Sequence, residues 1–236
     1  MNADPASSEE ARLLRDFFRD SATGSFVEVG VPDPVRGSRT LHLEEAGWIG
    51  IVAEPRPDVA AFLVAARKAR NVAAACVAPD VAGQPLALRI ANPLSSVDVG
   101  QPWQPEQPAF TVMVPTRTLD GLLAEAGMAA PLDLVALDAE GRELDALLGL
   151  DFERWQPRLI VIADPVTDLQ RHRFLKESGY VLIWRVGGCG WYVPGDSRAV
   201  RKRRLWPVLR DYYLALPFRK AGHALRRLKS RVTAAG

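Results

Sequence analysis

Short apolar runs alternate with helical segments along most of this 236-residue chain, and this alternation limits its fold more than any other feature. Near-continuous apolar strands separated by helices are typical of a mostly parallel sheet covered on both faces. We therefore predict an α/β, Rossmann-like fold with a seven-stranded sheet whose last two strands form a hairpin. The predicted strands are residues 26–30, 48–53, 71–78, 132–138, 158–164, 180–186 and 191–193.

Helical periodicity fills most of the intervals between these strands. A further short strand, 86–91, is predicted inside a proline-rich insertion that spans residues 79–108. We expect three parts: an N-terminal helix in 1–23 that packs on the core, the α/β domain in 24–197, and a basic amphipathic helical tail in 198–236. The predicted helices are residues 7–18, 38–47, 57–70, 118–126, 142–148 and 168–178.

The charge of the chain is divided unevenly between the body and the tail. Residues 198–236 hold 12 Lys and Arg but one acid, a net charge of +11, whereas residues 1–197 carry a net charge of −9. Aromatic and basic residues on an amphipathic helix favour binding to an anionic membrane surface. The alternative is a helix docked on the acidic body. The tail lacks the interleaved polar groups expected for base contacts, so we predict no nucleic-acid partner.

We infer the expected cellular compartment of the protein from features that its sequence lacks. The two cysteines, Cys76 and Cys189, provide no disulfide framework, and no apolar run approaches the roughly 20 residues needed to cross a bilayer. The first residues show neither the basic start nor the apolar core of a secretory signal. We expect a cytoplasmic protein, with peripheral attachment at the inner face of the membrane through the tail.

Acidic residues and a glycine stand where three predicted strands end. They are Glu28 and Gly30 at the first strand, Glu54 at the second and Asp138 at the fourth. Ligands of open parallel sheets bind beyond these ends, and an acid after the second strand suits the two hydroxyls of a nucleotide ribose. The glycine-rich loop that cradles a dinucleotide diphosphate is missing, which favours S-adenosylmethionine over a nicotinamide cofactor and argues against an oxidoreductase.

Several short motifs follow one another in a fixed order between residues 24 and 194. In chain order they read GSFVEVG, DP, GS, LE, GWIG, EP, VPTRTLD, LDAEG followed by Glu143, GLDF, GY and WYVP. In these motifs and their order, the chain resembles the FkbM family of methyltransferases.

The resemblance implies a class I methyltransferase fold, S-adenosylmethionine as cofactor, and methyl transfer to a hydroxyl oxygen of a saccharide or glycoconjugate. It implies that Glu54 holds the ribose. The residues implied to line the rest of the cofactor site are Glu28, Gly30, Asp33 and Ser38, and those on the substrate side are Asp138, Glu140 and Glu143.

Methyl transfer to a hydroxyl requires a group that removes the hydroxyl proton. Asp138 is the first candidate for this catalytic base and Asp164, at the end of the fifth strand, is the second. A metal held by these two aspartates is an open alternative, but no third ligand is visible and we predict no metal. No histidine lies at a strand end, and His172 is expected to be a solvated helix residue.

The chain also departs from the family pattern at positions where relatives commonly carry polar groups. These are Val31-Pro32 after the first strand, Ala136 in the fourth strand, Ala163 and Pro165 around Asp164, and Cys189. The departures favour an alternative hypothesis, a catalytically degenerate protein of the same fold. Such a protein would be a binding or scaffolding partner in glycan assembly.

Overall fold

The computed structural model describes residues 9–31, 33, 38–91, 109–166, 169–202, 206, 210 and 214. The α-helices in this part of the chain are α1 (Glu9–Phe17), α2 (Leu41–Glu45), α3 (Pro57–Ala66), α4 (Leu119–Glu125), α5 (Glu143–Leu148), α6 (Phe152–Trp155) and α7 (Gln170–Glu177). The strands are β1 (Ser25–Val29), β2 (Ile49–Ala53), β3 (Arg70–Val72), β4 (Ala75–Cys76), β5 (Leu86–Ala91), β6 (Ala109–Val114), β7 (Thr116–Arg117), β8 (Leu134–Leu137), β9 (Leu159–Ala163), β10 (Tyr180–Val186) and β11 (Cys189–Pro194).

Within the described residues, seven strands form the main sheet, in the order β10-β11-β9-β8-β1-β2-β3. Neighbours pair in parallel except at β11, which runs antiparallel to both β9 and β10. In the centre of the sheet Val27 faces Ile51 on one side and Val135 on the other. The predicted α/β architecture with a mostly parallel central sheet is confirmed.

Successive residues of each central strand pack into two different apolar layers, one on each face of the sheet. Val27 and Val29 of β1 join the layer that α4, α5 and α7 cover. Phe26 joins the layer that α1, α2 and α3 cover. In this second layer the ring of Phe18, just after α1, meets Trp48 edge to face at 4.8 Å between centroids. The central strands are therefore buried on both faces, which explains their near-continuous apolar sequence.

The prediction of one continuous strand over 71–78 is wrong, because the chain turns within it and forms β3 and β4. The Ala74 amide donates to the Val72 carbonyl at 3.1 Å, and this turn separates β3 from β4. β4 leaves the main sheet and pairs with β7. β5, predicted in the insertion, pairs antiparallel with β6, a strand that the sequence did not indicate. The rest of the insertion, residues 92–108, lies outside the described residues.

The helix predicted over 57–70 ends early, at Ala66. Arg67 follows with extended backbone angles, φ −124° and ψ 141°, so the helix cannot continue through it. The Arg67 side chain is buried, and its role is described with the candidate site.

Most of the predicted basic helical tail lies outside the described residues. Its first part, Arg198–Lys202, forms a 3₁₀ turn whose Ala199 and Val200 pack against the second apolar layer. Among the described residues, no helix is both long enough and apolar enough to span a membrane.

The carboxyl ends of β1 and β8 meet where the strand order switches. After β1 the chain runs to α2 in one layer, and after β8 it runs to α5 in the other. This divergence opens a crevice beyond the strand ends, where such sheets bind ligands. Gly30, with φ +77°, comes so close to β8 that an added Cβ would lie 1.9 Å from the Asp138 carbonyl oxygen. Glycine is therefore required at this position.

We expect Gly30→Ala to lower the free energy of unfolding by about 3 kcal/mol or more, because left-handed strain adds to a backbone clash. Gly179→Ala is the matched control, since Gly179 has φ +84° and an added Cβ there meets no atom within 4 Å. The unfolding free energy of the control should fall by only about 1 kcal/mol, the cost of left-handed strain alone. Urea unfolding followed by circular dichroism measures both variants. Equal losses would contradict the close approach of β1 and β8.

Candidate functional site

Glu28 of β1 is fully buried and surrounded by donors from the segment that precedes α2. One carboxylate oxygen, Oε1, accepts from the Arg39 amide at 2.6 Å. The other, Oε2, accepts from the Ser38 hydroxyl at 2.8 Å and from the Thr40 hydroxyl at 2.6 Å. Glu28 and Ser38, both predicted in the cofactor site, are thus bonded to each other. These contacts give Glu28 the role of holding residues 38–40 against the end of β1.

Arg67 completes this buried network from the other side. Its guanidinium donates to the Ser38 hydroxyl at 2.8 Å and to the Thr40 hydroxyl at 2.9 Å. It also lies 3.5 Å from Glu28 and 3.1 Å from Glu44. A buried cation between two buried carboxylates is tolerable only when the polar atoms are paired, as these are. The network therefore joins β1, α2 and the end of α3.

Arg39 extends from this network to the carboxyl ends of the strands. Its Nε donates to Glu10 Oε1 at 2.6 Å, and its Nη2 donates to Asp138 Oδ2 at 2.9 Å. Nη2 also lies 3.2 Å from the Cys189 sulfur. Burial would lower the pKa of Arg39, but the attraction of Glu10, Cys189 and Asp138 outweighs burial and raises it. Arg39 is therefore a permanent cation.

Asp138, the first candidate base, follows β8 at the crevice. Its amide donates to the Val29 carbonyl at 2.8 Å, which fixes its backbone beside β1. Its side chain is 35% exposed, and Oδ2 is engaged by Arg39. Among the described residues, Oδ1 has no hydrogen-bond partner. This oxygen can accept a hydrogen bond from a hydroxyl that enters the crevice.

Glu54 follows β2 on the other side of Gly30. Its Oε2 accepts from the Val31 amide at 2.8 Å, and its Oε1 accepts from the Arg56 amide at 2.9 Å. Burial raises the pKa of Glu54 to about 6, and the charge of Glu140 adds to this, while the two amides oppose it. Each oxygen carries one backbone donor and retains room for another. Asp33, also predicted in the cofactor site, is half-buried.

The residues predicted on the substrate side fall into two places. Glu140 is exposed, has φ +50°, and acts electrostatically on Glu54. Glu143 is buried at the start of α5 and accepts from the Gly141 amide at 2.9 Å. Glu140 thus lies near Glu54, the carboxylate predicted to bind the ribose, whereas the Glu143 side chain is buried inside the protein.

Arg171 of α7 joins Glu143 to Asp164, the second candidate base. Its Nη1 donates to Glu143 Oε2 at 3.0 Å, and its Nη2 donates to Asp164 Oδ1 at 3.3 Å. Asp164 Oδ1 also accepts from the Val166 amide at 2.8 Å, and Val166 has φ +51°, an unusual angle for a β-branched residue. Asp164 is therefore occupied in holding the loop after β9.

Sequence reasoning missed the arginines that organise these acids, and it misjudged α7. The prediction that His172 is solvated is wrong, because it is buried with Nδ1 3.1 Å from the Tyr192 hydroxyl. Arg171 lies four residues before the buried Leu175, so helical spacing could have placed it on the inner face. Nothing in the spacing pointed to Arg39 or Arg67. In the described parts of the chain, no group of three His, Cys, Asp or Glu side chains is placed to hold a metal ion.

A family model described as Methyltransferase FkbM domain matches residues 28–182, well over half of the chain. No curated protein and no solved structure matches the chain. The matched segment contains every predicted site residue, but Glu10 and Cys189, which contact Arg39, lie outside it.

Replacing Glu54 with glutamine should change how stability depends on pH. The pKa of Glu54 is about 6 in the folded protein against 4.5 for the free side chain, so folding favours the protonated form. The stabilisation that protonation gives is complete below about pH 4.5 and is lost as the pH rises through about 6. Across this window the unfolding free energy of the wild type should fall by about 2 kcal/mol relative to Glu54→Gln.

Urea unfolding between pH 4 and pH 7 measures this difference. Glu45→Gln, at an exposed position of α2, is the control and should run parallel to the wild type. A constant difference between the wild type and Glu54→Gln over this range would contradict the burial of the Glu54 carboxylate.

Proposed function

This chain belongs to the FkbM family of methyltransferases, and we propose that it transfers a methyl group from S-adenosylmethionine to a hydroxyl of a saccharide or glycoconjugate. The observation that carries the proposal is the carboxylate of Asp138. It lies at the strand-order switch, with one oxygen engaged by Arg39 and the other without a partner among the described residues.

The residues around Glu54 fit the cofactor. A ribose presents two adjacent hydroxyl donors, and the two Glu54 oxygens are oriented by backbone amides and can each accept one more hydrogen bond. We propose that Gly30 and Asp33 line the methionine end. Glu28 and Ser38 support this site indirectly, because the hydrogen bonds of Glu28 hold residues 38–40 against the end of β1.

The cofactor supplies a methyl group on a positively charged sulfur, which is the electrophile of the reaction. We propose that Oδ1 of Asp138 binds the acceptor hydroxyl and takes its proton as the oxygen takes the methyl group. S-adenosylhomocysteine is left, and Asp138 returns the proton to solvent. Orientation of the acceptor at near-attack distance and proton removal are the two contributions that this arrangement provides.

The other acids have supporting roles in this proposal. Exposed Glu140 is placed to bind further hydroxyls of the acceptor. Glu143 and Asp164, paired through Arg171, fix the loops after β8 and β9. Asp164 therefore stays second to Asp138 as a base.

A catalytically degenerate protein of the same fold is the second candidate. Ala136 in β8 and Val31 after β1 have no side chain that could form a hydrogen bond with a ligand. These features favour a protein that binds the cofactor, or a glycan assembly partner, without turnover. Binding without methyl transfer is the outcome that would support it.

Titration calorimetry with S-adenosylmethionine and with S-adenosylhomocysteine tests the proposal. We expect both to bind, and we expect Glu54→Gln to weaken binding about tenfold or more, because hydrogen bonds to a charged acceptor are lost. Glu45→Gln, at the exposed face of α2, should bind as the wild type does. Asp138→Asn should bind normally and lose methyl transfer. Failure of the wild type to bind either compound at millimolar concentration would overturn the proposal.

We also propose that the basic tail attaches the protein to an anionic membrane surface on the cytoplasmic side. Supporting this, residues 198–236 carry a net charge of +11. Trp206 and Leu214, the described apolar residues beyond the 3₁₀ turn, are 66% and 57% exposed. The domain division at 1–23, 24–197 and 198–236 is kept in this proposal, except that the 3₁₀ turn packs on the body.

Truncation after Lys202 tests the attachment and keeps the packed turn intact. We expect the full chain to sediment with phosphatidylglycerol vesicles at low salt and to be released as salt rises, because the attraction is electrostatic. It should not sediment with phosphatidylcholine vesicles. The truncated chain should stay in the supernatant with both. Sedimentation of the truncated chain to the same extent as the full chain would contradict attachment through the tail, and failure of the full chain to sediment would favour a tail docked on the acidic body.

A further inference from the structure

Arg39 is fixed at both ends, which is unusual for a long side chain near a solvent-exposed crevice. Its amide donates to buried Glu28 at 2.6 Å, and its neighbours Ser38 and Thr40 bond the same carboxylate. Its side chain is only 14% exposed and ends in two ion pairs. The guanidinium therefore has a defined place relative to the ends of β1 and β8.

The two carboxylates that pair with Arg39 come from distant parts of the chain. Asp138 follows β8, and Glu10 belongs to α1. Glu10 uses Nε of the guanidinium and Asp138 uses Nη2, so the two acids occupy different donors rather than competing for one. Because the guanidinium is planar, holding its Nε fixes the direction of its other donors.

We propose that Arg39 is the positioning residue for Asp138 and that Glu10, outside the family segment, holds Arg39 in the required orientation. This inference rests on the proposed function, since it names what directs the candidate base toward the acceptor hydroxyl. Arg39 engages Oδ2 and leaves Oδ1, which has no hydrogen-bond partner among the described residues, for the acceptor hydroxyl. The N-terminal helix is thereby part of the substrate side of the site.

The charges around Glu10 support this arrangement. Burial raises the pKa of Glu10, and the charges of Glu28 and Asp138 act in the same direction, but Arg39 opposes them. Arg39 is thus the group that favours the charged form of Glu10. The pairing of Glu10 with Arg39 is thus coupled to the pairing of Arg39 with Asp138.

Cys189 provides a reporter that needs no substrate. Burial raises its pKa to about 11, Arg39 lowers it, and Glu10 and Asp138 raise it. Three charged groups therefore face the thiol: Arg39 from the segment before α2, Glu10 from α1 and Asp138 from the end of β8. The pH dependence of Cys189 alkylation by iodoacetamide, followed by peptide mass spectrometry, therefore reads the charge balance of the cluster. Cys76, which is buried as Cys189 is, is an internal reference for accessibility in the same sample.

The first experiment compares alkylation profiles of full-length variants. Glu10→Gln and Asp138→Asn should each move the Cys189 profile to lower pH, whereas Arg39→Gln should move it to higher pH. Arg158→Gln is the matched control, because Arg158 pairs with Asp133 at the amino ends of β9 and β8, whereas the cluster lies at the carboxyl ends of the strands. It should leave the profile unchanged. An unchanged profile in Glu10→Gln would overturn the coupling of Glu10 to the cluster.

The second experiment measures methyl transfer, as release of S-adenosylhomocysteine with a panel of free mono- and disaccharides as acceptors. Arg39→Gln should lower kcat about 100-fold, the range typical of a misplaced general base, with the KM for S-adenosylmethionine unchanged. Arg39→Lys should recover part of this loss, and Glu10→Gln should lower kcat about tenfold. Arg158→Gln should turn over as the wild type does.

The outcomes separate this inference from the function on which it rests. Turnover of Arg39→Gln at the wild-type rate would overturn the positioning role while leaving the methyltransferase intact. A wild type that binds no cofactor would overturn the proposed function. In that case the alkylation profiles still decide whether Glu10, Arg39 and Asp138 form one coupled cluster.

Discussion

The buried carboxylate of Glu28 is the constraint on which the rest of the site depends. A charge placed inside the sheet layer must be compensated, and the chain does so with the segment 38–40 and with Arg67 from the end of α3. Arg67 follows the end of α3 at Ala66 and also pairs with Glu44 of α2. One desolvated acid thus determines how three elements meet.

The same compensation places the groups at the crevice. Since residues 38–40 are held by Glu28, the Arg39 side chain starts from a fixed point and reaches Asp138. On the other side, Glu54 is oriented by the amides of Val31 and Arg56, which follow β1 and β2. Buried hydrogen bonds and ion pairs next to the strands therefore set the geometry of the more exposed groups at the crevice.

The sequence predicted those features that depend on local pattern. Apolar runs located the central strands, and the acids at their ends located Glu54 and Asp138, because parallel strands bring their carboxyl ends to one edge. It did not predict which acids are engaged by the protein itself. Glu28 meets Arg67 across 39 positions of chain, and no local spacing encodes such a pair. The β5–β6 pairing was missed for the same reason, since its strands are separated by the insertion.

The place of β11 in the sheet has a consequence for the order in which the protein can be assembled. β11 is the last strand of the described residues, yet it lies between β9 and β10, both of which are made before it. On the ribosome β10 has no neighbour in the sheet until β11 emerges, so the two strands beyond β9 can join the sheet only after residues near 194 are made. The hydrogen-bonding edge of β9 that pairs with β11 in the folded protein has no strand partner during this interval.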